Sequence, residues 1–318
     1  MSQTKTALLV ILFLFLLLLP FSGNKYYLHL GTFVPIMVIL SLGLHIFFGL
    51  CGQIDFGING FYAAGAYFAA LLMKYLGLHY FLTLPLAMAL SGVISVIVGF
   101  AVLKLRHWVL ALGTSAFGLA VWLTLRTVGV GVLGGDDGLF LPKLSVFDIK
   151  AGPVFYYYFI MAWTVLACFC AYFLGRSRVG RAMKAIREDE IAASVMGINI
   201  DHYVRLSFII HGIYAGLAGA LYAQWNGWVS PGSFSTDVGM SVLVFIVVGG
   251  VGSVAGAIVG AVIFTLLPEL LIPLKEYHIL IYALIFFFVI RFMSKGLIGA
   301  GKDLWMRFTS AEAKQVAP

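Results

Sequence analysis

The stretch VVGGVGSVAGAIVGAVIF, residues 247–264, leads from an apolar run into Gly250, Gly252 and Ala255. That is the G-x-G-x-x-G/A spacing with which backbone amides at a helix N-terminus cradle a dinucleotide pyrophosphate. The chemistry needs a strand before the glycines, a helix after them and an acid at the end of a second strand about 20 residues on. The acid nearest that spacing, Glu269, lies in LLPELLIP instead, and no Gly-Lys-Ser/Thr follows the glycines. Gly252, Gly256 and Gly260 repeat every four residues, so they read as one helix face where missing side chains let a second helix approach closely. Gly212 and Gly216 read the same way, with Gly219 on an adjoining face.

A second set of polar residues is Gln53, Asp55 and Asn59, in LCGQIDFGINGFYAAGAY. An ionisable group at membrane depth is costly unless it faces a cavity or a partner. The i, i+4 spacing of Asp55 and Asn59 would put both on one helical face, lining a route for a polar or cationic solute. A cap at the break before the next helix fits Asp55 equally well. His45, His211 and Glu269 are lone polar groups in apolar surroundings and read as interhelix hydrogen-bonding residues. Cys51, Cys168 and Cys170 show no C-x-x-C spacing, and the seven histidines show no H-E-x-x-H, so metal chemistry has no support. A membrane enzyme is equally unsupported, for want of a nucleophile, metal set or acid pair.

The elements that must position these residues follow from composition. The 318 residues are 62% hydrophobic and 10% charged, with a mean hydropathy of +1.04, against roughly a quarter charged in soluble domains. The expectation is an all-α integral membrane protein, a polytopic bundle of about ten transmembrane helices in a single domain over 1–318. Spans are expected at 7–19, 32–50, 58–77, 82–103, 108–126, 154–174, 206–228, 237–250, 253–272 and 278–296. The first could be a signal-peptide core behind Lys5, but PFSG is a poor small-x-small cleavage site, so a retained helix is expected. Alternating the spans puts Lys104, Arg106, Arg176, Arg178, Arg181, Lys184, Arg187, Lys295, Lys302 and Arg307 on the Lys5 side, which makes that side and both termini cytoplasmic. Segment 127–153, with Asp136, Asp137 and Asp148, and VSPGSF near Pro231 then fall outside. The net charge of +7 is explained by these span-end clusters rather than by nucleic-acid binding.

The longest polar stretch is GRSRVGRAMKAIREDEIAASVMGINIDHYVRL, residues 175–206. A helix over 182–196 would align Ala182, Ala185, Ile186, Asp189, Ala192, Ala193 and Met196 on one face, with Lys184, Arg187, Glu188 and Glu190 elsewhere. Such a face can pack on the protein's own spans, lie on lipid or enter a groove of a partner. Lipid surfaces favour large apolar residues opposite lysines, whereas this face is alanine-rich beside three consecutive acids, so a protein surface is the better match. Gly197 supplies a helix stop.

GRAMKAIREDEIAASVMGI followed by SFIIHGIYAGLAGALYA resembles the cytoplasmic signature of permease subunits of ATP-binding cassette importers for branched-chain amino acids, the LivM type. The resemblance covers most of the chain. The Gly-Gln segment near Gly52, VLGGDDGL at 132–139 and GGVGSVAGAIVGA are similar to further segments of that family. It implies a second permease of the LivH type, two cytoplasmic ABC ATPases that bind ATP and Mg²⁺, a periplasmic or lipid-anchored substrate-binding protein, and residence in the bacterial inner membrane. No cofactor is expected in this chain. The helix within 185–197 would be the coupling helix, docked on one ATPase, with Arg187, Glu188, Asp189, Glu190, Ala192 and Gly197 as its coupling set. Asp136 and Asp137 would either help seat the binding protein or form a solvated turn. Leucine, isoleucine and valine are the implied cargo, while related systems take urea, short amides or aromatic acids. The chain departs from the family pattern at Asp55, where the pattern has Ser, and at Ile58, where it has His. The alternative is an autonomous proton- or sodium-coupled transporter using Asp55 and Glu269, which would have no need of segment 182–198.

Overall fold

In the computed structural model, the described residues are 24–271 except 106–107, 128–129, 143–144, 147–148 and 151, together with Pro20 and scattered positions from 277 to 299. Helix α1 (Lys25–Leu44) continues as a π-helical turn, His45–Leu50. There follow α2 (Ile58–Leu76), α3 (Tyr80–Val102), α4 (Trp108–Thr127), a short α5 (Val130–Leu133) and α6 (Pro153–Arg176). Two short helices, α7 (Arg178–Glu188) and α8 (Glu190–Val195), precede the long α9 (Ile200–Asn226), and α10 (Thr236–Gly249) and α11 (Val254–Leu271) complete the described bundle. Strands are confined, among the described residues, to two-residue pieces: β1 (Leu139–Phe140), β2 (Ser145–Val146), β3 (Ile149–Lys150) and β4 (Trp228–Val229). β1 pairs antiparallel with β4, and β2 with β3.

Seven helices among the described residues are long and apolar enough to cross a membrane: α1 with its π turn, α3, α4, α6, α9, Pro231–Gly249 and α11. Helix α2 has 19 residues but carries Asn59, Tyr62, Tyr67 and Lys74 in place of a uniformly apolar surface. It compensates by burial, with every residue from Ile58 to Tyr67 enclosed by protein. The expected spans at 7–19 and 278–296 fall outside the described residues, apart from isolated positions in the second.

Helix α9 is the axis of the bundle and packs chiefly on α2 and α3, then on α1. Its glycines set the spacing. A Cβ on Gly216 would overlap Ser91, one on Gly212 would press on Ser95, and one on Gly219 would overlap the Tyr62 carbonyl. Gly65 of α2 meets the Gly216 backbone in the same way. The close approach lets the Ser91 hydroxyl donate to the Gly212 carbonyl at 2.9 Å and lie 3.3 Å from the Phe61 carbonyl, which joins α3, α9 and α2 at one point. Gly256 and Gly260 of α11 lie against the carbonyls of Gly249, Gly250 and Phe245 in α10. Gly252 is not on that helical face. It sits in the turn before α11 with φ +88°, a conformation glycine adopts without steric cost, so the run of four-residue spacings begins one step before the helix does. The outward faces of α3, α4 and α6 expose Val93, Ile97, Leu112, Leu119, Phe169 and Phe173, a surface suited to hydrocarbon and to apolar partners.

Candidate functional site

The chain leaves helical geometry between Cys51 and Ile58. Gly52 takes φ +78°, which no side chain in the preceding π turn could follow easily, and Gly57 caps α2. Non-helical backbone inside a membrane protein must find its hydrogen bonds from neighbours, and here it does. The Gly52 and Gln53 amides donate to the carbonyls of Phe48 and Phe47. The Phe56 amide donates to the Thr114 hydroxyl at 3.2 Å, and the Gly57 amide to one oxygen of the Asp55 carboxyl at 3.0 Å. The other Asp55 oxygen lies 2.8 Å from Nε2 of His211, and both side chains are 0% exposed. His211 is eleven residues into α9, so this pair sits roughly 16 Å from that helix's start, about half of a hydrocarbon core.

Asp55 and Asn59 therefore do not share a helical face, because Asp55 precedes the first turn of α2. Asp55 ties the break to α9, whereas Asn59 ties α2 to two other elements. Its amide nitrogen lies 3.3 Å from the Gly118 carbonyl of α4 and 3.2 Å from that of Phe234, in the 3-10 turn before α10. Asn59 Oδ1, His211 Nδ1 and both ring nitrogens of His45 are buried without a hydrogen-bond partner among the described residues. Glu269 accepts from the Tyr26 hydroxyl at 2.8 Å.

At the end of the bundle nearest Gln53 lies segment 177–199. Ser177 caps α7 by accepting from the Gly180 amide, and Lys184 donates back to the Gly175 carbonyl at 2.7 Å. The expected single helix over 182–196 is two helices. Asp189 adopts extended backbone (φ −159°, ψ 113°), and its carboxyl accepts from the amides of Ile191 and Ala192 at 2.8 and 3.0 Å. A side chain that caps so well competes with continuation of the helix. The second helix then ends in a Schellman arrangement, with the Gly197 amide on Ser194 and the Ile198 amide on Ala193, made possible by Gly197 at φ +80°.

The kink splits the expected stripe between two environments. Ala182, Met183, Ile186 and Ala193 are buried against the bundle. Beyond the kink Ile191, Val195 and Met196 project outward at 77%, 81% and 81% exposure, with Ala192 also exposed. Ile191 and Val195 were absent from the stripe read in the sequence, although their i, i+4 spacing is a signal for it.

Two side chains tie this segment to the break. Gln53 Nε2 donates to Glu190 at 2.8 Å, and Arg187 donates to the Gly49 carbonyl at 2.6 Å. Gln53 and Glu190 line two cavities, one of about 560 Å³ with Gly52, Trp108 and Arg187, the other of about 340 Å³ with Phe100, Lys104 and Arg205. Glu188 is exposed and lines the larger cavity. The opposite end is closed by β1 and β4, by Trp228 donating to the Asp137 carbonyl at 2.9 Å and by an Arg126–Asp136 ion pair at 2.7 Å.

A sequence profile described as "Branched-chain amino acid transport system / permease component" matches residues 26–290. The high-affinity branched-chain amino acid transport system permease protein LivM of Salmonella typhimurium strain LT2 is 33% identical over 320 residues, covering 93% of this chain and 75% of that protein. LivM of Escherichia coli K12 is 34% identical over 286 residues, or 82% of this chain and 67% of the relative. LivH of the same strain is 26% identical over 289 residues, or 82% and 90%. No solved structure matches the chain. With its bundle of membrane-spanning helices and a profile match running through both the helix break and the kinked segment, the chain belongs to the family of branched-chain amino acid transport permeases.

Proposed function

We propose that this chain is one of two permease subunits of an ATP-driven importer of branched-chain or related hydrophobic amino acids, and that segment 177–199 is where it takes up the ATPase stroke. One observation carries the second part. Ile191, Val195 and Met196 are more than three-quarters exposed on a short capped helix whose base is fastened to the bundle by Arg187 and Glu190. Apolar side chains held out on a rigid mount, with acids at 188–190 beside them, suit a groove on another protein better than water.

In this reading the chain is non-catalytic. ATP and Mg²⁺ belong to two ABC ATPases at the 177–199 end, which is cytoplasmic by its cluster of Arg176, Arg178, Arg181, Lys184 and Arg187. The far end, with Asp136 and Asp137, faces a substrate-binding protein outside the inner membrane. The single domain over 1–318 supplies half of a pathway that a LivH-type permease completes. The remaining expected spans bring the total to ten, with both termini cytoplasmic. Gln53, Asp55 and Asn59 stand along the route, where Asp55 offers a carboxylate to the ammonium of an amino acid and His211 yields it. Arg187, Glu188, Asp189, Glu190, Ala192 and Gly197 form the coupling set, in which Asp189 and Gly197 shape the docking helix and Ala192 lies on its outer surface.

The test is purification of the chain from its host in mild detergent, with the stoichiometry of what accompanies it. Two ATPases and a second permease are expected with the wild type, and Ile191→Asp with Val195→Asp should release the ATPases while the second permease stays. A chain that arrives alone and transports in liposomes without ATP would overturn the importer reading in favour of an autonomous transporter.

A further inference from the structure

Arg187 stands out because, although the residue is exposed, its guanidinium reaches back onto the bundle. It lies in the last turn of α7, and its Nη1 donates to the Gly49 carbonyl within the π turn that ends α1. The stem passes over Gly52, where a Cβ would sit 3.0 Å from its Cγ and 3.2 Å from its Cα. The guanidinium fills the space beside Gly252, where a Cβ would overlap Nη1 and lie 3.3 Å from Cζ. Both glycines carry positive φ, at 78° and 88°, so both positions suit a residue without a side chain.

This one cation touches the segments that follow two helices: the π turn of α1, through the Gly49 carbonyl and Gly52, and the turn after α10, through Gly252. A helix C-terminus carries the negative end of the helix dipole, which favours a nearby cation. A planar guanidinium holds the Gly49 carbonyl through Nη1 and still lies beside Gly252, a fixed geometry that an ammonium on a flexible stem does not keep. The geometry thus joins the docking segment to two breaks that are about 200 residues apart in sequence.

We propose that Arg187 is a positioning residue for coupling: it pins segment 177–199 to the 51–57 break and the 250–253 turn, so that movement of the docked segment carries both. This rests on the importer reading above and reassigns Arg187 from the ATPase contact to a contact within the permease. Gly52 and Gly252 are then the seat of the pin. The 51–57 break leads directly to Asp55 and Asn59, and the 250–253 turn leads to α11, so one side chain reaches both halves of the bundle.

The experiment uses the complete assembly, reconstituted in liposomes, and reads amino acid taken up per ATP hydrolysed. Arg187→Ala is expected to keep its ATPases through purification yet lower that ratio about fivefold or more, the scale of a typical coupling free energy. Gly252→Ala should lower it similarly, and the double variant should be little worse than either single one, because both remove the same seated contact. Arg187→Lys should recover part of the ratio, since it keeps one donor for the Gly49 carbonyl. If Arg187→Ala does not accumulate, Arg187→Lys decides: a reduced ratio in an intact assembly supports the pin, and a wild-type ratio overturns it. Release of the ATPases by Arg187→Ala, or fully additive losses in the double variant, would also overturn it. Failure of the importer reading shows separately, as a wild-type chain that brings no ATPase.

Discussion

The two interruptions of the bundle, 51–57 and 250–253, lie at the same end, and each holds a left-handed glycine against Arg187, yet they are built differently. The first is held by side chains. Asp55 binds the Gly57 amide and His211, Thr114 binds the Phe56 amide, and Gln53 binds Glu190. The second is held by proximity, with Gly249, Gly250, Gly256 and Gly260 bringing the backbones of α10 and α11 together and the Ser253 hydroxyl accepting from the Gly256 amide at 3.3 Å. A break held by polar groups can exchange those groups with a polar solute or with water. One held by backbone proximity offers a passing solute fewer polar side chains, but it can slide or pivot as a unit. Under the importer reading, the contrast favours recognition at the first interruption and mechanical compliance at the second.

The largest effect expected from this contrast is on stability at the first break. Asp55→Ala strips a buried histidine and a buried amide of their shared partner, and each buried polar group left unsatisfied costs about 1–3 kcal/mol. Ser253→Ala removes only a long hydroxyl contact at the second, worth about 1 kcal/mol or less on the scale of helix caps. Thermal melts of the two purified variants check the difference, and equal losses would break the comparison. Asp55→Asn keeps an acceptor for Gly57 and should fold, so its uptake kinetics isolate the carboxylate. Uptake unchanged across the pH range would remove Asp55 from the route.

A middle-sized effect is expected at the second interruption, where volume rather than polarity is limiting. Gly256→Val places two methyls and a Cβ against the Gly249 and Gly250 carbonyls, and overpacking of this kind typically costs about 1–3 kcal/mol. Gly197→Ala is the control, since none of the described residues lies within 4 Å of the added Cβ there and the loss is limited to the left-handed backbone. A melting loss for Gly256→Val no larger than for Gly197→Ala would mean that α10 and α11 can separate, and compliance would then lie elsewhere.

How much of this was legible in the sequence follows from the range of each interaction. The spans at 82–103, 154–174 and 253–272 lie within a few residues of α3, α6 and α11, because hydrocarbon thickness imposes a length that composition records locally. The glycine spacings of α9 and α11 were likewise local. The kink at Asp189 was concealed because the alanine and charge pattern runs through it unbroken, although an Asp followed by Glu in the next helical position is itself a helix-start signal. The partnership of Asp55 with His211 spans 156 residues, and that of Arg187 with Gly49 spans 138. No periodicity encodes such contacts. They arise only once α9 has packed beside the 51–57 break and α7 on the π turn, so neither partner can be read from its own neighbourhood in the sequence.

The smallest expected effect lies far from both interruptions and sets the floor against which they are judged. Arg126 and Asp136 form an ion pair at the opposite end, with side chains 40% and 64% exposed. The hydrogen bond and charge of Arg126 hold the Asp136 carboxyl below the usual carboxylate range. A depressed carboxyl stabilises the folded form above its unfolded pKa, near pH 4, and loses that contribution as pH falls through the lower folded value. Melting temperatures of the wild type and Arg126→Ala should therefore differ by a small constant amount above about pH 5, begin to converge near pH 4 and meet only below the lowered folded value. Added salt should shrink the gap, because exposed pairs are screened. A gap as large as that of Asp55→Ala would mean that the loop end is held as firmly by side chains as the first break. Polar fixation would then be a general device of the bundle rather than the mark of the route.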